Sequence, residues 1–423
     1  MLANAQGTGG GGRTFAGGRG LWVRGYPKPR TANPRTLNSG TPTVLEVLTA
    51  ANFRNLAAQT VACGPGVHFV SGPNGAGKTN LLDACYYLCL ARSHFPYGDA
   101  SAVAHGSNWL RLEGRFTAGG RAERIALKLQ PRKGKTVERG GAAYDSLAEH
   151  IGLLPAVMIS PADVALVVGG PEERRRFLDQ TISQYDPRYL AALLAYNRVL
   201  RQRNALLKAV EHPLELDLSL LAGYDRQLLG PAQVVHEARA AFASTLEPHF
   251  AELYAAICGG AEVPALAYRS KLAERPYAEL LLRSRDQDVA LARTNAGPHR
   301  DELELALDGE GLRRFASQGQ LKTFALALRL AQARLLRLER GKTPIVLLDD
   351  LFDRLDSARV QHLVDLLTRE DYAQVFITDT HPERLRALRV EGREVHHYAV
   401  EGGVVTKREP AAAAAPAPQA SAT

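Results

Sequence analysis

The sequence predicts an α/β fold in which one strand-and-helix domain is split by an inserted helical lobe and flanked by disordered ends. Three observations carry this. The apolar run Val67 to Val70 passes through a glycine-rich turn into a helical stretch, Asn80 to Arg92. From about 161 to 256 apolar residues recur at spacings of three and four, with few glycines or prolines. Strand pattern then returns, ending in IVLLDD (345–350) and QVFIT (374–378).

Taken in order, residues 1–42 are rich in Gly, Arg, Pro and Thr and cannot bury enough surface to fold. Three readings of this leader stay open: an inert or mis-started tail, a Gly/Arg arm that meets phosphates, and a targeting peptide, against which a single serine argues. The first part of the head spans 43–160: alternating apolar residues at 44–49, NFRNL at 52–56, the turn and helix, and alternating strands over 109–130. The lobe spans 161–293, with YLAALLAYNRVLRQRNALLKAV (189–210) its clearest helix. The second part of the head, 294–408, opens with a turn at TNAGPH and the strand ELELALD. A long helix from Gln318 to about Arg340 follows. Residues 409–423 form a low-complexity Ala/Pro tail.

Composition excludes several classes. The longest apolar run, Leu81 to Ala91, is too short to cross a bilayer and contains Asp83. No charged-then-apolar signal peptide opens the chain. Cys63, Cys85, Cys89 and Cys258 form no CxxC pair, so they read as small apolar side chains suited to a reducing cytoplasm. The net charge is +8, but the leader contributes +6 with no acid and the tail −1 through Glu409, leaving only +3 on 43–408. Whole-chain charge is therefore a poor argument for nucleic-acid binding by the folded part.

The chemistry lies in three motifs. Gly72-Pro-Asn74-Gly75-Ala-Gly77-Lys78-Thr79 matches the phosphate loop GxxxxGK[ST] between a strand and a helix. Its glycines let backbone N–H groups approach a polyphosphate, and the helix points its positive end at the same anion. Lys78 is placed to reach the β- and γ-phosphates of ATP and Thr79 to ligate Mg²⁺, with Asn80 beside them. Asp349 and Asp350 end a continuous apolar strand, where ligands bind in open α/β sheets. Asp349 suits the metal and Asp350 the attacking water; a helix cap is the plainer reading. Ser317-Gln-Gly319-Gln320 reads as a capping box before the long helix, and a capped helix start can also bind a γ-phosphate. The segment is similar to a degenerate ABC signature motif, which acts on the nucleotide of a partner subunit. Asp356 sits at a D-loop position; His381 is either a switch histidine or a helix cap. No Q-loop glutamine stands out after the first helix.

These motifs lie within longer matching stretches: GPNGAGKTNLLDA (72–84), SPADVALVVGGPEERRRFLD (160–179), YNRVLRQRNALLK (196–208), TNAGPHRDEL (294–303), SQGQLKTFALALRLA (317–331) and LLDDLFDRLD (347–356). Over residues 43–408 the chain resembles the RecF family of DNA replication and repair proteins. The resemblance implies an ABC-type P-loop ATPase head like those of SMC proteins, with a short helical arm in place of a long coiled coil. It implies an ATP-dependent homodimer around two nucleotides, slow DNA-stimulated hydrolysis, and binding to duplex DNA or single-strand/duplex junctions without sequence preference. It also implies work with RecO and RecR in loading recombinase at gaps. The alternative is another ABC/SMC-like chromosome-organising ATPase, for which 189–210 is too short to give sustained heptads. Arg174, Arg175, Arg176, Arg198, Arg201 and Arg203 form either a solvated face or a set of phosphate contacts.

Overall fold

The computed structural model describes residues 41–209, 216–260, 262–350, 357–370 and 372–408. The first part of the head contains β1 (Thr41–Ala51), β2 (Gln59–Ala62), β3 (Gly66–Ser71), α1 (Lys78–Leu90), β4 (Leu110–Ala118), β5 (Arg121–Gln130), β6 (Gly134–Arg139), β7 (Ala142–Ala143) and β8 (Ala156–Ile159). The inserted stretch contains α2 (Val164–Val168), α3 (Pro171–Tyr185), α4 (Pro187–Ala209), α5 (Leu218–Cys258), β9 (Pro264–Arg269) and α6 (Tyr277–Ala290). The second part contains β10 (Glu302–Leu307), β11 (Glu310–Gly311), α7 (Leu312–Phe315), α8 (Gln318–Arg340), β12 (Lys342–Thr343), β13 (Ile345–Leu348), α9 (Ser357–Arg369), β14 (Gln374–Asp379), α10 (Pro382–Ala387), β15 (Val395–Glu401) and β16 (Val404–Arg408).

The central sheet runs β16-β15-β3-β14-β13-β8, all neighbours parallel except the terminal β15–β16 hairpin. Its strands come from both ends of the chain, so the insert interrupts one sheet. Strand β13 shows why its residues are all apolar. Ile345 and Leu347 face a core with α1 and the sheet of β1, β4 and β5, while Val346 and Leu348 face a second core with α3, α5 and α8. A strand covered on both faces reads as an unbroken apolar run. The second sheet runs β12-β1-β4-β5-β6-β7, with β2 on β1.

Two expectations are corrected. The sequence pattern ends the leader at residue 42, but Thr41 and Pro42 already belong to β1 and pair with Lys342 and Thr343. The same pattern makes the insert helical to 293, but it contains β9, which pairs antiparallel with β10 across 302–307. β9 buries Pro264 and Leu266, and so short an apolar alternation is easily lost between helices. The remaining leader, the tail from 409 and Asp356 lie outside the described residues.

The arginine runs divide on inspection. Arg203 is fully buried, with ion pairs to Asp225 (2.7 Å) and Asp288 (2.8 Å). Arg174 pairs with Glu302 at 2.7 Å and Arg176 with Glu173 at 3.0 Å, while Arg198 and Arg201 are exposed on α4. Arg239, which no motif singled out, pairs with Asp179 at 2.7 Å and donates to the Pro298 carbonyl at 2.7 Å. Buried guanidinium groups need such partners. RRRFLD, RQRNALLK and AGPHRDEL thus meet at the junction of insert and head.

All four cysteines are free thiols, with Cys85 and Cys89 buried in α1. Among the described residues no helix is long and apolar enough to cross a membrane.

Candidate nucleotide site

The parallel strands deliver the site residues to one edge of the sheet. β3 runs into the phosphate loop, β13 into Asp349 and Asp350, β14 into Thr378 and Asp379, and β8 into Ser160. The Asp349 N–H donates to the Ile159 carbonyl at 2.8 Å, which fixes the end of β13 against β8. This is the carboxyl edge at which open α/β sheets bind ligands.

The loop is held open from outside. Asn55, in NFRNL, donates its amide to the Gly75 carbonyl at 2.8 Å and accepts from Asn80 at 2.6 Å. Gly403, at the turn of the β15–β16 hairpin, donates its N–H to the Ala76 carbonyl at 2.9 Å. With these carbonyls turned outward, and the Ala76 N–H donating to the Pro73 carbonyl at 3.2 Å, the N–H groups of Gly75 and Gly77 are left for an anion. Gly77 has φ +117°, and a side chain there would press on the Asn55 amide at 3.1 Å. Arg54 anchors the same segment through Asp83 at 2.7 Å and Ser93 at 2.9 Å.

Lys78 begins α1 and is nearly buried, its Nζ donating to the carbonyls of Gly72 (2.7 Å) and Pro73 (3.1 Å). The Thr79 hydroxyl donates to Asp349 Oδ1 and Oδ2 at 3.0 and 2.9 Å. The Thr378 hydroxyl also donates to Asp349 Oδ1, at 2.9 Å, and accepts from the Asp350 N–H at 2.9 Å. Burial pushes the Asp349 carboxyl above its ordinary range, against the hydroxyl donors that hold it down. One hydroxyl and one buried carboxylate make a hard oxygen pair, which fits Mg²⁺ with the remaining positions filled by water and phosphate. Asp350 has φ +45°, a left-handed conformation unusual for a residue with a side chain.

Ser317, Gly319 and Gln320 stand apart from this cluster. Ser317 caps α8: its Oγ accepts from the Gln320 N–H at 3.2 Å while Gln320 accepts from the Ser317 N–H at 2.7 Å. The Gln320 amide also donates to Glu262 at 2.8 Å. Ser317 and Gly319 are exposed, as is Phe315 beside them. His381 precedes α10; its N–H donates to Asp379 at 2.6 Å and its ring meets the Thr380 hydroxyl at 2.8 Å. Thr378 and Asn55 were not singled out from the sequence as site residues. Thr378 was visible only as a polar residue ending QVFIT, and Asn55 only as part of NFRNL.

Residues 44–397 match the family described as the RecF/RecN/SMC N terminal domain. The chain is 40% identical to the DNA replication and repair protein RecF of Porphyromonas gingivalis, over 86% of this chain and 99% of the relative. It is 42% identical to that of Parabacteroides distasonis, over 86% and 100%. A solved structure of the recombination mediator protein RecF with ATP, in the RecFOR pathway, superposes with TM-score 0.80 and 26% identity, covering 88% of this chain and 100% of that one. The Smc head domain of Pyrococcus furiosus shares the fold at TM-score 0.51 and 17% identity, over 86% and 96%. A phosphate loop and paired aspartates on one sheet edge, in a head interrupted by a helical insert, agree with these matches, and the chain belongs to the RecF family of DNA replication and repair proteins, with an ABC-type ATPase head.

Proposed function

We propose that this protein is an ATP-gated DNA clamp of recombinational repair and replication restart, acting as a homodimer on gapped or duplex DNA in the cytoplasm. The observation that carries the reading is the division of the motifs. Thr79 and Asp349 bond directly, while Ser317 and Gly319 face solvent, their side-chain and carbonyl partners among the described residues, Gln320 and Thr323 included, lying in the first turns of α8. Half of an ATP site is assembled and the other half is presented outward.

In this mechanism Thr79 and Asp349 would hold Mg²⁺, which would supply positive charge against the phosphates. Lys78 transfers its donors from the Gly72 and Pro73 carbonyls to the β- and γ-phosphates of ATP. Backbone N–H groups of Gly75 and Gly77 and the side chains of Asn74 and Asn80 line the phosphates. Asp350 orients the attacking water and accepts its proton. Ser317, Gly319 and Gln320 of a second copy bind the same γ-phosphate through the start of α8. Nucleotide binding therefore favours the dimer, and hydrolysis removes the bridge. Exposed Arg198 and Arg201 meet DNA phosphates without reading sequence. RecO- and RecR-type mediators are the protein partners, as the RecFOR pathway of the solved relatives suggests.

Sedimentation of wild type, Lys78→Met and Ser317→Arg, with and without ATP–Mg²⁺ and a gapped duplex, tests the reading. The expected result is that only wild type dimerises with ATP and that DNA retention follows the dimer. Dimerisation of Ser317→Arg like wild type, or equal DNA binding by all three without nucleotide, overturns it.

A further inference from the structure

A second cleft lies away from the phosphate loop, between the end of α1, α3 and α4, with a volume of about 460 Å³. Leu90, Ile151, Leu190 and Leu193 give it apolar walls. Arg92, Arg175, Arg176 and Arg239 line it together with only two carboxylates, Glu172 and Asp179. Both carboxylates are already engaged. Asp179 pairs with Arg239 at 2.7 Å and accepts from the Tyr189 hydroxyl; Glu172 pairs with Arg176 at 3.2 Å. Two cations are left over. Arg92 is exposed and makes no ion pair among the described residues. Arg175 is half-buried, and its one hydrogen bond goes to the Asp301 carbonyl at 2.9 Å. Burial and the neighbouring Arg239 lower its pKa, and the carboxylates of Glu302, Glu172 and Asp179 only partly offset them.

The polar side chains of the same walls are also unspent. The carboxamides of Gln180 and Asn197 line the cleft and make no hydrogen bond within the described residues. The cleft therefore offers apolar walls, two free carboxamides and two guanidinium groups with no direct ion pair among the described residues, in a volume that suits a small molecule. A nucleotide presents the matching set: a flat base, polar base edges and a phosphate.

We propose that this cleft takes one unstacked nucleotide of a DNA strand, with its base against Leu190 and Leu193, its edge at Gln180 and Asn197, and its phosphate between Arg92 and Arg175. This rests on the DNA-binding reading above and deepens it. A paired base leaves its stack only at a cost, whereas an unpaired one gives up no pairing. The cleft thus favours single strand, and a gap beside a duplex would engage both it and the clamp.

Fluorescence anisotropy of the full chain with ATP–Mg²⁺ tests this, using a labelled oligothymidylate, a labelled blunt duplex and unlabelled thymidine monophosphate. Arg92→Glu removes an exposed cation, and Asn197→Trp fills the cleft from its wall; thermal melting checks that both variants fold. Oligothymidylate affinity is expected to fall roughly tenfold in each, with duplex affinity within about twofold of wild type. The salt slope for the single strand should shrink by about 0.7 for each phosphate that the variant no longer neutralises. Unchanged single-strand affinity, or an equal loss on duplex, overturns the assignment. If thymidine monophosphate binds wild type but not Asn197→Trp while the oligothymidylate is unaffected, the cleft serves a free nucleotide and the strand assignment fails. If wild type binds neither labelled DNA, the DNA-binding reading itself fails, a result distinct from the others.

Discussion

The Thr79 hydroxyl donates to the Asp349 carboxylate at 2.9 Å across a sequence separation of 270 residues. The whole insert lies between the two, so the bond closes the head upon itself beside the phosphate loop. Thr378 completes the arrangement by bonding both the Asp349 side chain and the Asp350 backbone.

That arrangement separates the roles of the paired aspartates. Asp350→Asn is expected to keep ATP-dependent dimerisation and to lower hydrolysis by roughly 10²–10⁴-fold, the usual worth of a general base. Asp349→Asn is expected to weaken nucleotide binding only when Mg²⁺ is present. Titration calorimetry with and without Mg²⁺, beside a phosphate-release assay, reads both.

Arg203 offers a test of the junction. Its guanidinium is fully buried and bonds Asp225, Asp288 and Thr294. Arg203→Met leaves the fully buried Asp288 carboxylate without its cation, so a loss of about 3–5 kcal/mol is expected in urea unfolding. A loss below about 1 kcal/mol would show that the network contributes little.

The pH dependence of stability should report His299. Its Nε2 lies 3.0 Å from the Thr294 carbonyl and so carries the proton, while Nδ1 accepts from the Tyr196 hydroxyl at 2.6 Å. Burial lowers its pKa from 6.5 to about 4. Between those values the unfolded chain takes up a proton that the folded chain refuses, so the folded state loses stability as pH falls through this window. The contribution is about 1.4 kcal/mol per pH unit. Nearby Asp301, pushed up by burial, titrates in the opposite sense. His299→Gln is therefore expected to flatten the slope by that amount between pH 4 and 6.5 relative to wild type, whatever its effect on stability at neutral pH.

The hairpin turn gives a fourth test. Gly403 has φ +82°, and a side chain there would lie 2.0 Å from the Asn55 carbonyl oxygen. Gly403→Ala should strain this approach by about 1–3 kcal/mol and tilt Asn55 away from the phosphate loop. Weaker ATP binding with unchanged affinity for duplex DNA in the absence of nucleotide is the expected pattern.

The parts legible in the sequence were those with local patterns. The phosphate loop, the apolar strand before Asp349 and the capping box of Ser317 and Gln320 each show within a few residues what they do. The parts that were not legible depend on distant partners. Arg203 and Arg174 look like solvated charges until Asp288 and Glu302 arrive from elsewhere in the chain. Strand β9 needs β10 to exist, and Asn55 matters only because Gly75 and Asn80 fold against it.

The support that Gly403 gives the phosphate loop also sets an order of events during synthesis. Gln59, which bonds the Gly403 carbonyl at 2.7 Å, precedes it by 344 residues, roughly 17–70 s of translation at about 5–20 residues per second. The nascent chain therefore displays a phosphate loop for most of its synthesis without the Gly403 N–H that meets the Ala76 carbonyl. The last brace on the phosphate loop is therefore also among the last parts of the head to be made.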